Sequence, residues 1–157
     1  MSRRSLLLSA LLLAILAPPA ARAAEYRTGA LRVEAPTMPA TLKGARNGAG
    51  YLVIHNEGPA ADRLVRAESG AARAVELHTH IRDGEIVRMR PVEAIELPPG
   101  AAVRLAPGGQ HLMFLGLARP FAAGEKVAVT LVFERAGRLE IELAVTALRP
   151  AAGHGHH

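Results

Sequence analysis

The sequence predicts a single all-β domain, built as an antiparallel β-sandwich or barrel, and two observations support this prediction. Short apolar or alternating runs recur at even spacing, separated by glycine and proline turns. Few segments could form a long helix, so βαβ units are not expected, and at most one helical turn is expected near Leu117–Phe121. Ten strands are predicted: Ala30–Glu34, Gly50–His55, Asp62–Ala67, Ala74–Ile81, Glu85–Arg90, Ala94–Leu97, Ala102–Leu105, His111–Leu117, Lys126–Phe133 and Leu139–Val145.

Residues 1–23 are predicted to be a cleaved signal peptide. Arg3 and Arg4 precede an apolar run of roughly a dozen residues, which is short for a transmembrane helix. Pro18-Pro19 ends this run, and Ala21-Arg22-Ala23 offers small residues where a signal peptidase cuts, so the mature chain is expected to begin at Ala24. We expect export to the periplasm by the general secretory route, with the twin-arginine route as the alternative, and no stable membrane insertion after cleavage.

Removal of residues 1–23 changes the charge balance of the protein. The whole chain carries a formal net charge of +5, and the signal peptide holds three of its 19 basic residues and no acidic one. Sixteen basic residues then face 14 acidic ones, a net charge of +2. With no basic run and only three Phe, two Tyr and no Trp, the mature chain is not expected to bind nucleic acid. Residues 24–149 are predicted to be one monomeric domain.

The chain contains no cysteine, which excludes several classes of exported protein. A disulfide framework cannot form. A blue-copper carrier or a dinuclear copper electron-transfer site needs cysteine thiolate, and a thioredoxin-like protein needs paired cysteines.

The segment Pro36–Gly44 is predicted to be a proline-bounded loop. Met38 within it is expected to cap the apolar end of the sandwich, although a loop position could also reach a metal site.

Histidine and methionine concentrate on strands in the middle of the chain. Asp83-Gly84 is predicted to form a two-residue hairpin turn, which would place His78 opposite Met89, with His80 on the same face. His111 and Met113 alternate with apolar residues, so both are expected on one face of another strand.

This combination of side chains favours a copper site. A methionine on a strand usually fills the core, and a lone histidine is usually incidental. Several of both on neighbouring strands instead suggest that they bind one metal ion together. Neutral thioether sulfur is soft and suits Cu(I), while imidazole suits copper in either oxidation state. Glu76 is either a solvated strand residue or a partner that orients the imidazole of His78.

The C-terminal residues 150–157 are predicted to be a disordered, histidine-rich tail. His154, His156 and His157 could bind Cu(II), Ni(II) or Zn(II), and the usual order of affinities favours Cu(II). An engineered tag is the alternative explanation, but a tag is normally a longer unbroken run of histidines.

The spacing of the four central ligands is recognisable. Ten residues separate His78 from Met89, twenty-one separate Met89 from His111, and one separates His111 from Met113. This pattern resembles the periplasmic copper chaperone family PCuAC over roughly Ala30 to Val145. The flanking residues also resemble that family: Val75-Glu76-Leu77-His78, Met89-Arg90-Pro91-Val92, Pro107-Gly108-Gly109 before His111-Leu112-Met113, and Thr130-Leu131-Val132-Phe133-Glu134.

The resemblance implies a cupredoxin-like Greek-key β-sandwich or barrel that binds Cu(I) through His78, Met89, His111 and Met113. It further implies delivery of copper to cytochrome c oxidase assembly, with the copper-site subunit or its assembly factor as recipient. Many relatives carry methionine two residues after the first histidine, where this chain has His80. That residue is therefore an extra ligand, a bystander or a means of admitting Cu(II).

Three classes of protein could carry such residues: a copper carrier, a copper enzyme or a structural sandwich. A copper chaperone fits best, and a periplasmic copper-storage or copper-resistance protein is the alternative. A histidine-brace copper enzyme would need histidine at the mature amino terminus, where Ala24 stands, so no enzyme activity is expected. A structural sandwich with incidental histidines and methionines would bind no Cu(I) in its core.

Overall fold

The computed structural model describes residues 24–148, which form eleven strands. The predicted signal peptide and histidine-rich tail lie outside the described residues. Within residues 24–148 there is no helix, and so none that could cross a membrane. The strands are β1 Glu25–Thr28, β2 Leu31–Pro39, β3 Asn47–Asn56, β4 Asp62–Glu68, β5 Ala72–Asp83, β6 Ile86–Pro91, β7 Ile95–Leu97, β8 Ala102–Leu105, β9 His111–Leu117, β10 Lys126–Phe133 and β11 Gly137–Thr146.

Seven of the strands close into a barrel, in the order β2-β11-β10-β4-β5-β9-β3, with β3 pairing back to β2. The remaining four strands extend this barrel, since β1 pairs with β2, β6 with β5, β7 with β4 and β8 with β3. Every ladder is antiparallel except that between β11 and β2. The all-β prediction is therefore confirmed, and each of the ten predicted strands has a counterpart.

The amino-terminal part of the barrel differs from the sequence prediction. Strand β1 was not predicted, because its four residues, Glu25-Tyr26-Arg27-Thr28, show no apolar run or apolar alternation. Strand β2 continues to Pro39, through what was predicted to be a loop. A bulge at Ala35, whose φ is +49°, shifts its register by one residue and allows the second half of β2 to pair with β11. Met38 is fully buried in the core.

The hairpin between β5 and β6 has a different register from the one predicted. Asp83 pairs with Ile86, so the two loop residues are Gly84 and Glu85, one position later than expected. Gly84 has a φ of +61° while Glu85 does not have a positive φ, the pattern of a turn with glycine at its first central position. Consequently Met89 pairs with His80, and the predicted pairing of Met89 with His78 is wrong.

Alternation along β9 separates the core from the outer surface. Leu112 and Phe114 point inward and are completely buried, and Leu77 of the neighbouring β5 is buried beside Leu112. His111 and Met113 therefore share one face of β9, as predicted, and this face is the outer one.

Asp62 is one of three buried polar residues in the described chain, and it ties two chain segments together. Its carboxylate accepts hydrogen bonds from the backbone N–H groups of Arg63, Arg135 and Ala136, at 2.7, 2.9 and 2.9 Å. These bonds connect the start of β4 with the turn between β10 and β11.

We expect Asp62→Ala to lower the free energy of unfolding by about 3 kcal/mol, because it removes the acceptor for three partly buried N–H groups. Urea denaturation followed by circular dichroism measures this change. Glu140→Ala, an exposed carboxylate on β11, is the matched control and should change stability by less than about 0.5 kcal/mol. Equal effects of the two substitutions would contradict the structural role of Asp62.

Candidate metal centre

Three imidazole rings meet on the outer face of the barrel where β5 and β9 pair. His78 of β5 lies directly opposite His111 of β9, and their ring centroids are 5.7 Å apart. His80 lies two residues further along β5, and its centroid is 5.4 Å from that of His111. The register of β5 on β9 thus gathers histidines that are about thirty residues apart in the sequence.

The carbonyl oxygen of Gly109 orients two of these rings. It lies 3.0 Å from Nδ1 of His111 and 3.2 Å from Nδ1 of His80. A carbonyl can only accept, so both Nδ1 atoms must carry hydrogen, and in the neutral rings Nε2 keeps the free lone pair. The tight turn around Gly108, with a φ of +82°, positions this carbonyl.

His78 has the opposite arrangement. Its Nε2 lies 2.8 Å from a carboxylate oxygen of Glu76, which can only accept, so Nε2 carries the hydrogen. Nδ1 of the neutral ring then holds the lone pair. That atom is buried and is the single buried side-chain nitrogen or oxygen without a hydrogen-bond partner in the described residues. Glu76 therefore orients the imidazole, one of the two roles considered for it.

The two methionines lie on either side of His78. His78 has two direct cross-strand neighbours, which are Pro91 of β6 on one side and His111 of β9 on the other. Met89 and Met113 are the diagonal neighbours, at about 7–8 Å between Cα atoms for such pairs, which a long side chain can span. Met89 is 51% exposed, whereas Met113 is only partly exposed.

All five predicted core ligands thus share one outer face, formed by β9, β5 and β6. His78, His80 and His111 come together directly, and the two methionines border them. Within residues 24–148, no group of three or more His, Asp or Glu side chains is already arranged to hold a metal ion. The predicted tail ligands His154, His156 and His157 lie outside the described residues.

Sequence reasoning missed two contributors to this centre. The Gly109 carbonyl carries no sequence signal beyond its glycine-rich turn, because every residue has a carbonyl. Tyr51 of β3 packs with its ring centroid 6.4 Å from that of His111 and helps to cover it. Its position follows from the pairing of β3 with β9, which the sequence alone does not reveal.

His111 is the most enclosed of the three histidines, at 3% exposure. Burial lowers the pKa of His111, and charge on His80 or His78 lowers it further, against the Gly109 hydrogen bond that raises it. The lowered pKa favours the neutral form of His111, which is the form in which imidazole binds metals. His55 lies apart from this cluster and binds Glu34 at 2.8 Å.

Comparison with known proteins gives concordant results. Residues 31–145 match the family model described as "Putative lipoprotein LpqE-like". A curated relative from Leifsonia xyli subsp. xyli, "Putative lipoprotein Lxx21020", is 35% identical over 97 residues, and the match spans 60% of this chain and 58% of the relative.

Solved structures show the same fold. The copper-bound PCuAC domain from PmoF2 is 32% identical, with a TM-score of 0.71, over 80% of this chain and 99% of the domain. The solution structure of CuI-DR1885 from Deinococcus radiodurans is 26% identical, with a TM-score of 0.61, over 80% of this chain and 81% of the other. These matches define the class as a cupredoxin-like β domain. We conclude that the chain belongs to the PCuAC family and, by the match over residues 31–145, to the related LpqE-like family.

The hydrogen-bond pattern predicts the tautomer of each histidine in the metal-free protein. At neutral or higher pH, long-range ¹H–¹⁵N spectra should show His80 and His111 with hydrogen on Nδ1, and His78 with hydrogen on Nε2. Glu76→Ala should shift His78 toward a mixture of tautomers, because the carboxylate acceptor is lost. Glu140→Ala should leave all three spectra unchanged, and hydrogen on Nδ1 of His78 in the parent protein would refute this arrangement.

Proposed function

We propose that the protein is a periplasmic copper chaperone that binds Cu(I) on the outer face of its barrel and passes it to cytochrome c oxidase assembly. The ligands are His78, Met89, His111 and Met113, with His80 as an additional contact. The protein acts by ligand exchange and catalyses no reaction.

One observation chiefly supports this proposal: the buried Nδ1 atom of His78 has a lone pair and no hydrogen-bond partner. Leaving such a nitrogen unpaired costs about 1–3 kcal/mol, unless something coordinates it. In the two neighbouring rings, His80 and His111, the free lone pair is on Nε2, because Nδ1 donates to the Gly109 carbonyl. Within residues 24–148, none of the three free lone pairs accepts a hydrogen bond. A bound metal ion would use them.

The chemistry of the donors indicates which ion. Thioether sulfur is soft and needs no deprotonation, so it favours Cu(I) over Zn(II), Ca(II) or Mg(II). Among the related structures, the printed descriptions name one domain as copper-bound and another as the CuI form. The absence of cysteine is also consistent with release of the ion, because thiolates would hold Cu(I) more tightly.

The uneven exposure of the ligands supports transfer. His111 is buried whereas Met89 is half exposed, so a recipient could approach from the Met89 side and replace one ligand at a time. A dedicated store would need no such open side. Export is consistent with the lipoprotein descriptions of the matched family and relative.

The test is an anaerobic competition titration of Cu(I) against a chromophoric chelator, using residues 24–157 with His154, His156 and His157 replaced by alanine. We expect one tightly bound Cu(I). Met89→Leu with Met113→Leu should weaken binding at least about 100-fold, because leucine keeps the apolar volume but removes the soft sulfur.

Leu42→Ala is the matched control, since Leu42 is an apolar residue that is 69% exposed outside the predicted centre. It should bind Cu(I) like the parent, and circular dichroism should show that all variants are folded. Absence of Cu(I) binding in the parent, or full binding in the double leucine variant, would refute the proposed site.

The tail is proposed to bind Cu(II) separately. Replacing His154, His156 and His157 by alanine should abolish Cu(II) binding at neutral pH and leave Cu(I) affinity unchanged, because imidazole without sulfur prefers Cu(II). Electron paramagnetic resonance of Cu(II)-loaded samples measures the first effect. Equal loss of both ions would contradict two independent sites.

A further inference from the structure

The hairpin formed by the end of β5 with β6 projects beyond the barrel. Strand β9 pairs with β5 only as far as His78, so residues 79–83 pair with β6 alone. Within residues 24–148, β6 has no partner except β5, and all six of its residues are exposed. One edge of β6 is therefore free along its length.

This hairpin carries most of the exposed large hydrophobic residues of the described chain. Six large hydrophobic residues are exposed in residues 24–148. Four of them belong to the hairpin and are 45–54% exposed: Ile81, Ile86, Val87 and Met89. Isolated exposed hydrophobic residues are ordinary, but a cluster on one projecting element indicates an interaction surface. A free edge strand with such side chains is also an aggregation hazard unless a partner uses it.

The same hairpin carries arginines without ion pairs. Arg82, Arg88 and Arg90 join no salt bridge in residues 24–148, although most arginines elsewhere on the strands do. Arg88 and Arg90 point to the face opposite Met89 and line a shallow cavity of about 410 Å³ together with Ile81, Arg82 and Asp83. A carboxylate-bearing surface would complement these guanidinium groups.

We propose that the outer edge of β6 is where the copper recipient docks, and that the recipient presents acidic side chains around an apolar patch. This inference rests on the proposed function and names the chemistry of its partner. Val87 and Met89 border the edge from the histidine side, and Ile86, Arg88 and Arg90 border it from the other. A partner seated on this edge touches Met89 itself, which connects docking with ligand exchange.

The experiment measures the rate of Cu(I) transfer from the loaded full mature chain to the metal-free soluble copper-site domain of cytochrome c oxidase. The variants are Arg88→Glu with Arg90→Glu, and Ile81→Ser with Ile86→Ser. The arginine variant should transfer about tenfold more slowly at low salt, because it repels an acidic partner, and the parent's rate should fall as salt rises. The isoleucine variant should also be slower.

Two controls separate docking from binding. Leu42→Ser and the pair Lys43→Glu with Arg46→Glu make equivalent changes on the exposed loop between β2 and β3, which lies by the far end of β9 from His111. They should transfer at the parent rate. The rate of Cu(I) transfer to a small chelator should be the same in the parent and all variants. Their Cu(I) affinities should also be equal.

Parent-like transfer from both hairpin variants would overturn the docking edge and leave the proposed recipient standing. The docking edge would also be overturned if the hairpin variants transferred Cu(I) equally slowly to the small chelator, or if the loop controls were slowed to the same extent. No transfer from the parent would overturn the recipient, and this docking edge with it, while a normal Cu(I) titration would still preserve the metal site.

Discussion

The pairing of β5 with β9 is the interaction on which the site depends. It places Leu77 and Leu112 side by side in the core and, one residue away on each strand, His78 opposite His111 on the outer face. Because side chains alternate along a strand, a slip of one residue would expose the leucines and bury the histidines. The hydrophobic core therefore holds the register that gathers the imidazoles.

Two acceptors then fix how the imidazoles are used. The Gly109 carbonyl occupies Nδ1 of His80 and His111, and the Glu76 carboxylate occupies Nε2 of His78. The nitrogen atoms left free belong to rings that adjoin one another between the two methionines. Acceptors behind the ligands are the usual means by which proteins orient histidine toward a metal ion.

The sequence was most informative where a pattern depends on local chemistry. The presence of ten strands and the shared face of His111 and Met113 were predicted correctly, whereas Met38 lies buried in a strand and not in the predicted loop. The hairpin register was wrong because Asp83-Gly84 and Gly84-Glu85 are both acceptable turns, and the choice depends on which residue takes positive φ. The course of β2 was also wrong, since the bulge at Ala35 and the parallel pairing with β11 bridge distant segments.

By itself, the sequence determined the fold class and the candidate donor atoms, because alternation, turn residues and ligand chemistry are properties of short segments. The tertiary structure decided which donors meet. The placement of His78 against His111, the shared Gly109 carbonyl and the projecting edge of β6 all depend on how β3, β5, β6 and β9 are paired. Such pairings join residues far apart in the chain, and they are fixed by the packing of the closed barrel, which no single segment specifies.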